Sequence, residues 1–517
     1  MNELEMRLMN QIDDLMVELK RANQTIELQA QEISLLREQV AEMNRRLFGR
    51  KKESFNETPG QMGLFDTDPF TKPELTGEES QEETVVKEHR RFKRKGLKKA
   101  KLDGLPTNDI HYQLASNECQ CQDCGSNLHN IGSTIVRKEP RFIPAQIIVD
   151  VFHQHAYACR NCEQTKNETK IVKANVPKPL LNNSLGTPSI VTETIIEKYQ
   201  KYVPNYRQEK IWANLNFPIN RKEISNWHIK VVDYVFKRIY SLLHQELLTQ
   251  EVAHADETSF RVLDSEKVKD TIWLFLSGAS EDRQVILYEH ASTRGGVIPQ
   301  QFLAEYKGYL MTDGYKVYQS LSDITNVACL AHIRRKFFEA APIKNSKKSF
   351  GKFGAELCSE IFKKDHEFDD LPYEIRKEKR EKELRPLIDE FYEWMASISY
   401  LPKSKLGLAI EYAFVQKPFL YNIFEDGRLE LSNNRAERAV KQIVMGRKNW
   451  LFSKSTKGAK ATGIIMSIVQ TAIHNGVDVR KYLNFLLTSI PQLPTLTDKL
   501  LRESYLPWSP LVQQTCK

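Results

Sequence analysis

The chain has 517 residues, is 41% hydrophobic, and carries 75 Lys and Arg against 67 Asp and Glu for a net charge of +8. That length and apolar content predict several domains with at least one sizeable core and exclude a disordered chain. The longest apolar runs, TIWLFLSGA and GIIMSIV, are too short to span a bilayer, and MNELEMRLMN lacks the apolar stretch of a signal peptide.

Residues 1–48 are expected to form a coiled coil. Leu8, Ile12, Leu15, Leu19, Ala22, Ile26, Gln29, Ile33, Leu36, Val40, Met43 and Leu47 step by four and three. β-branched residues at a and leucine at d favour a parallel homodimer. Residues 49–105 turn polar and read as a flexible linker. It ends in a basic arm, Lys87 to Lys101, with nine Lys or Arg in fifteen positions. Such a run is either a solvated linker or an arm on DNA phosphates.

Residues 106–180 hold two C-x2-C pairs, Cys121 with Cys124 and Cys159 with Cys162, separated by hairpin-like sequence. Two matched pairs predict four thiolates on one structural Zn2+ rather than a disulfide framework, which fits a reducing, cytoplasmic compartment. Cys119 is a spare thiol, and His153 and His155 are expected at the surface or in packing. Residues 181–250 read as helical. PNYRQEKIWANL, FPIN and RKEISNWHIKVVDYVFKRIYSLL follow a helix-turn-helix-like order, a pattern open to either DNA reading or plain packing.

From residue 251 the periodicity changes. EVAHAD, DTIWLFLSGA, RQVILYEH, GYLMTD and NVACLAH read as strands with helical connections, an α/β layer over 251–340. Residues 341–428 are charged and helical, an insertion before 429–490, where Glu437 opens an amphipathic helix; 491–517 is a C-terminal tail. Asp256 and Asp313 each close a strand-like run. Two aspartates at strand ends and a glutamate from a helix suit magnesium, which takes a few carboxylates and leaves positions for water and phosphate. Glu257, next along a strand from Asp256, would point to the opposite face.

HADETSFRVL, YLMTDGYKVY, CLAHIRRKF, LSNNRAERAVKQIVMGRKNWLF and SIVQTAIHNGVDVRKYL resemble, in order, the catalytic blocks of the insertion-sequence-sixty-six transposases. RLFGRKKE, the paired C-x2-C and PNYRQEKI are similar to that family too. The resemblance covers nearly the whole chain. It implies an RNase H-like catalytic core with an Asp-Asp-Glu triad at Asp256, Asp313 and Glu437, which lie 57 and 124 positions apart in turn. It further implies Mg2+ or Mn2+ on that triad, cleavage and joining of DNA, transposon-end and target DNA as partners, a nucleoid setting, and companion proteins from the same element.

Arg438, Lys441, Arg447 and Lys448, and the group Arg334, Arg335 and Lys336, are candidate phosphate contacts. His332 is placed to orient a ligand or phosphate, Asn434 to hydrogen-bond near the metal, and Trp450 and Cys329 to pack. Two other readings stay open: an RNase H-like nuclease that hydrolyses without joining, and a non-catalytic zinc DNA-binding regulator.

Overall fold

The computed structural model describes residues 146–158, 171–267, 269–341 and 349–517, with Met16, Lys20 and Ile135 besides. The heptad, the basic arm and the cysteines Cys119, Cys121, Cys124, Cys159 and Cys162 lie outside the described residues. The chain divides into two compact units, and everything that follows concerns the one that includes Val151–Lys517.

Two short strands, β1 (Ala156–Ala158) and β2 (Ile171–Lys173), pair antiparallel. Helices follow: α1 (Pro188–Tyr199), α2 (Asn205–Asn214), α3 (Arg221–Val231) and α4 (Lys237–Leu248), the last two joined by a π turn at Val232–Phe236. Their starts are legible locally. Pro188 stands at the first turn of α1 behind Thr187, and Asn220 and Glu223 make a reciprocal capping box on α3. The faces of α1 and α3 are apolar (Val191, Ile195, Trp227, Val231) and buried, so this helical region packs within the unit. Exposed on the α2–α3 pair are Arg207, Lys210, Arg221 and Lys222.

The sheet has the order β5-β4-β3-β6-β7, with β3 (Val252–Phe260), β4 (Asp270–Ser277), β5 (Ile286–Ala291), β6 (Tyr309–Thr312) and β7 (Thr325–Ala328). β3–β4 and β4–β5 pair antiparallel, whereas β3–β6 and β6–β7 are parallel. Short helices α5 (Val297–Phe302) and α6 (Lys316–Gln319) flank β6. Every residue of β4 is buried, as its unbroken apolar run dictates for a strand covered on both faces. β3 runs on four residues past Asp256, so that aspartate lies within the strand and does not close it. The expected strand through NVACLAH stops at Ala328, and Leu330 begins α7 (Leu330–Ala340).

The insertion comprises α8 (Phe350–His366), α9 (Tyr373–Lys379), a π turn at Arg380–Leu384, α10 (Arg385–Ser397) and α11 (Lys405–Tyr421). It is not a separate lobe. Phe391, Ile388, Ile410 and Ala413 share one core with Met311, Val327, Ile333 and Phe337 of the sheet and α7. Within it, Arg380 is fully buried and donates from Nε and Nη2 to the two carboxylate oxygens of Asp365, at 2.7 and 3.0 Å. A forked pair satisfies both charges, as burial demands.

After the insertion come α12 (Asn434–Trp450), α13 (Thr456–His474) and α14 (Val479–Ser489). Residues 491–517, expected as a tail, instead fold into α15 (Asp498–Ser504) and α16 (Pro510–Cys516), with Leu501, Leu506, Val512 and Cys516 buried. No helix among the described residues is long and apolar enough to cross a membrane.

Edge strand β5 would leave backbone donors exposed, the usual liability of an edge. Helix α13 covers it. Ser467 Oγ accepts from Tyr288 N at 2.8 Å and Thr471 Oγ1 from Ile286 N at 3.0 Å. Gly463, Ser467 and Thr471 recur every fourth residue, one face of the helix, and Gly463 lets the two backbones touch. A Cβ there would sit 2.6 Å from the Tyr288 carbonyl oxygen. Gly463→Ala is therefore expected to lower the unfolding free energy by about 1–3 kcal/mol through overpacking. Urea denaturation checks this, and an unmoved midpoint would contradict the close-packed helix-on-edge arrangement.

Candidate active site

Pairing between β3 and β6 covers only Val252–His254 against Tyr309–Met311. Beyond it the two strands part, at the point where β3 has an antiparallel neighbour on one side and a parallel one on the other. Such a switch point, at the carboxyl ends of parallel strands, leaves a crevice. Asp256 stands on β3 just past the last pair, and Asp313 directly follows β6. Glu437 reaches the same place from the first turn of α12.

Each carboxylate is held differently. Asp256 Oδ1 accepts from the Glu257 backbone N–H at 2.7 Å. Asp313 Oδ1 accepts from Tyr315 N at 3.0 Å, and the Asp313 carbonyl accepts from Tyr412 Oη at 2.6 Å, which ties the turn to α11 of the insertion. Gly314 takes φ +85°, and a Cβ there would strike Tyr412 Oη at 2.8 Å, so this turn requires glycine twice over. Arg335 Nη2 donates to both oxygens of Glu437, at 3.1 and 3.2 Å, and His332 Nε2 stands 3.5 Å from Glu437 Oε1.

Asp256 lies within electrostatic reach of both Asp313 and Glu437. Burial first, then Glu257 and Asp313, push the Asp256 carboxyl up to about 8, with Glu437 adding to the rise. Burial also raises Glu437; Arg335 opposes this and Asp313 reinforces it. Burial, followed by Arg335, holds His332 down to about 4, so it is neutral at pH 7. Its Nδ1 is buried and has no protein partner. Glu257 faces Arg294 and Tyr318, accepting at 3.0 Å from Arg294 Nε and at 2.7 Å from Tyr318 Oη.

These donors form no closed metal cage: among the described residues, no group of three or more His, Cys, Asp or Glu is close enough to hold an ion alone. Magnesium does not require one, since it keeps waters and borrows substrate oxygens. An all-oxygen donor set fits it, and so does the raised Asp256 carboxyl, whose neighbours are acids and which lacks a compensating cation.

One residue that organises the site escaped the sequence reading, which named only its neighbour Asn434. Asn433 is wholly buried. Its Nδ2 donates to the Ala255 carbonyl at 2.9 Å, its Oδ1 meets His254 Nδ1 at 3.0 Å, and its backbone N–H donates to Cys329 Sγ at 3.1 Å. Because the carbonyl can only accept, the amide orientation is fixed and His254 must carry its proton on Nδ1. Asn433 thus binds the residue before Asp256 to the start of the helix bearing Glu437. The doubled asparagine in the sequence was the available signal, but nothing local says which of the two makes these bonds.

The candidate phosphate contacts divide. Arg438, Lys441, Lys448 and Lys336 are exposed. Arg334 donates to Ser359 Oγ at 2.9 Å, Arg335 is committed to Glu437, and Arg447 donates to Ser259 Oγ at 2.9 Å. Those three brace the site. Trp450 packs edge-on against Tyr199, with ring centres 5.4 Å apart, and Cys329 is buried.

Comparison with known proteins adds three family matches. A model described as the Transposase IS66 family matches residues 183–461, one for the zinc-finger binding domain of transposase IS66 matches 118–163, and one described as Transposase C of IS166 homeodomain matches 35–110. Among curated proteins, the uncharacterized protein y4jD of Sinorhizobium fredii is 25% identical over 423 residues, covering 78% of this chain and 80% of the relative. Uncharacterized proteins y4hP and y4qI of the same organism are 24% and 27% identical, over 72% and 68% of this chain and 71% and 67% of their own lengths.

Two outcomes are expected. Asn433→Ala orphans the Ala255 carbonyl and the His254 Nδ1 proton, at about 1–3 kcal/mol for each buried group; denaturant titration reads the loss, and a change below a few tenths of that would contradict the clamp. The Asp256 carboxyl is raised above its unfolded value near 3.9, so the folded state holds a proton that the unfolded chain releases. Its stabilising effect is complete below about pH 4 and disappears as pH rises through about 8. Without divalent ions, wild-type stability should fall across that window more steeply than that of Asp256→Asn; equal slopes would contradict the shift.

Proposed function

The chain belongs to the Transposase IS66 family, whose model spans more than half of it, and from that premise we propose that it is a DNA transposase which cuts at element ends and joins them to target DNA. The observation that carries the proposal is the placing of Asp256 on β3, Asp313 directly after β6 and Glu437 in the first turn of α12, with Asp313 and Glu437 both raising the Asp256 carboxyl. The β5-β4-β3-β6-β7 order, antiparallel on one side of β3 and parallel on the other, supports an RNase H-like core. Family membership supports a divalent metal in this domain and zinc at residues 118–163; magnesium, and zinc on Cys121, Cys124, Cys159 and Cys162, are the specific assignments proposed.

Asp256 and Asp313 would hold the catalytic ions, with Glu437 as the third ligand. Magnesium, when bound, supplies stabilisation of the attacking and leaving oxygens of an in-line displacement. The chain's own groups do the rest. Arg335 orients the Glu437 carboxylate and offsets its repulsion from Asp313. His332, with Nε2 3.5 Å from Glu437 Oε1, stands beside that carboxylate and would help to position it. Asn433 fixes the spacing of strand and helix. Water attacks the phosphorus at the element end, the P–O3′ bond breaks, and a 3′-hydroxyl is freed. That oxygen attacks a target phosphodiester, forming one P–O bond as the target's P–O3′ bond breaks, with its proton passing to solvent.

In this reading the amino-terminal heptad pairs two copies, and the protein works on the nucleoid in the cytoplasm. Asp256→Ala is expected to abolish end cleavage and strand transfer while leaving duplex binding within about twofold, because a metal-ligand change touches transition-state chemistry more than ground-state contacts. Labelled element ends incubated with and without magnesium read this out. Full cleavage by the variant would remove the assignment, and nicked ends without joined products would favour the hydrolytic nuclease.

A further inference from the structure

Helix α12, which carries Glu437, ends in an unusual way. Leu451 has φ +67°, and the Phe452 N–H returns to the Trp450 carbonyl at 2.9 Å, a γ-turn centred on a non-glycine residue. This backbone conformation is strained for any residue with a Cβ, and strain of that kind persists where function keeps it. It does not serve the core: Leu451 is 63% exposed and Phe452 43%, with Leu263 beside them at 49%.

The tip is nevertheless firmly anchored. Ser453 N donates to the Arg261 carbonyl at 2.9 Å and Leu263 N to the Ser453 carbonyl at 3.0 Å, making a bridge between Val262 and Ser453. Just before the tip, Arg447 donates to Ser259 Oγ. The turn is thus fastened to the continuation of β3, the strand of Asp256. Around it Arg261, Lys448 and Lys454 are exposed, and none forms a salt bridge among the described residues. The nearby acid Asp264 is occupied in accepting from Thr456 at the start of α13, from its N at 2.8 Å and Oγ1 at 3.0 Å.

A rigid apolar tip ringed by uncommitted cations matches a surface of stacked bases edged by phosphates, and not a lipid or a plain protein core. We propose that Leu451 and Phe452 form a wedge that enters the base stack of duplex DNA beside the scissile phosphate, with Arg261, Lys448 and Lys454 on the flanking phosphates. This rests on the transposase reading above. Arg261 lies five positions beyond Asp256, just past the end of β3, about 16 Å at ~3.3 Å per position, so the opened step lies within about five base steps of the cut at ~3.4 Å per step.

The test uses the full chain and duplexes carrying a fluorescent adenine analogue at successive positions beside the cleavage point. Wild type and the binding-competent Asp256→Asn protein should both raise fluorescence at one step within that range. Leu451→Gly, which relieves the strained φ, should melt at the same or a higher temperature yet lose the signal and bind about tenfold more weakly, with Phe452→Ser also losing it. A signal retained in both variants, or a Leu451→Gly protein that melts well below wild type, overturns the wedge. So does a change in the sedimentation of the DNA-free variants without any effect on DNA, which would make the tip an interface between copies. Cleavage without any fluorescence rise defeats the wedge and leaves the transposase reading standing; neither cleavage nor a rise defeats both.

Discussion

A single buried amide joins the two parts of the site. Asn433 lies 178 residues beyond Ala255, yet its Nδ2 takes the carbonyl that β3 can no longer offer to β6 once those strands part. Its other bonds, to His254 and Cys329, fix it against β3 and the end of β7 together. A buried carbonyl without a partner is costly, so the strands can open a crevice only if something else satisfies the freed group. The residue that does so also begins the helix bearing Glu437. The opening of the sheet and the placing of the third carboxylate are one event.

That opening sets up a charge problem that the rest of the site manages. Three acids meet in a half-buried crevice, and burial pushes Asp256 up to about 8. Arg335 eases the repulsion at Glu437, while the charged neighbours that act on Asp256 are acids. In the proposed reaction a divalent cation and the substrate phosphates would complete the balance of charge. Such a site trades stability for function, in keeping with the perturbed ionisation typical of active centres.

The surrounding helices hold this arrangement rigid from outside. Helix α13 closes the β5 edge with Ser467 and Thr471, and α11 reaches the Asp313 turn through Tyr412. The insertion therefore does more than lengthen the chain between the second and third acids. Its core is continuous with that of the sheet, and one of its hydroxyls positions the turn that carries Asp313.

Much of this was legible beforehand. The switch from helical to strand periodicity near residue 251, the buried run of β4, the helical insertion and the helix opened by Glu437 are local patterns, set by side-chain period and capping chemistry. The motif blocks identified the family, and they are the source of the proposal for the three acids. Local pattern also misled: apolar content continued NVACLAH as strand where the backbone turns into α7, and 491–517 was read as a tail although its buried leucines dock it. What only tertiary structure decided were long-range pairings without a local signature. They are Asn433 bonding to Ala255 and His254, Arg335 and Arg447 bracing the fold instead of facing solvent, and the strained turn at Leu451. Periodicity reports which face of an element is apolar. It does not report which distant backbone group will need a partner, because that is known only once the strands have parted.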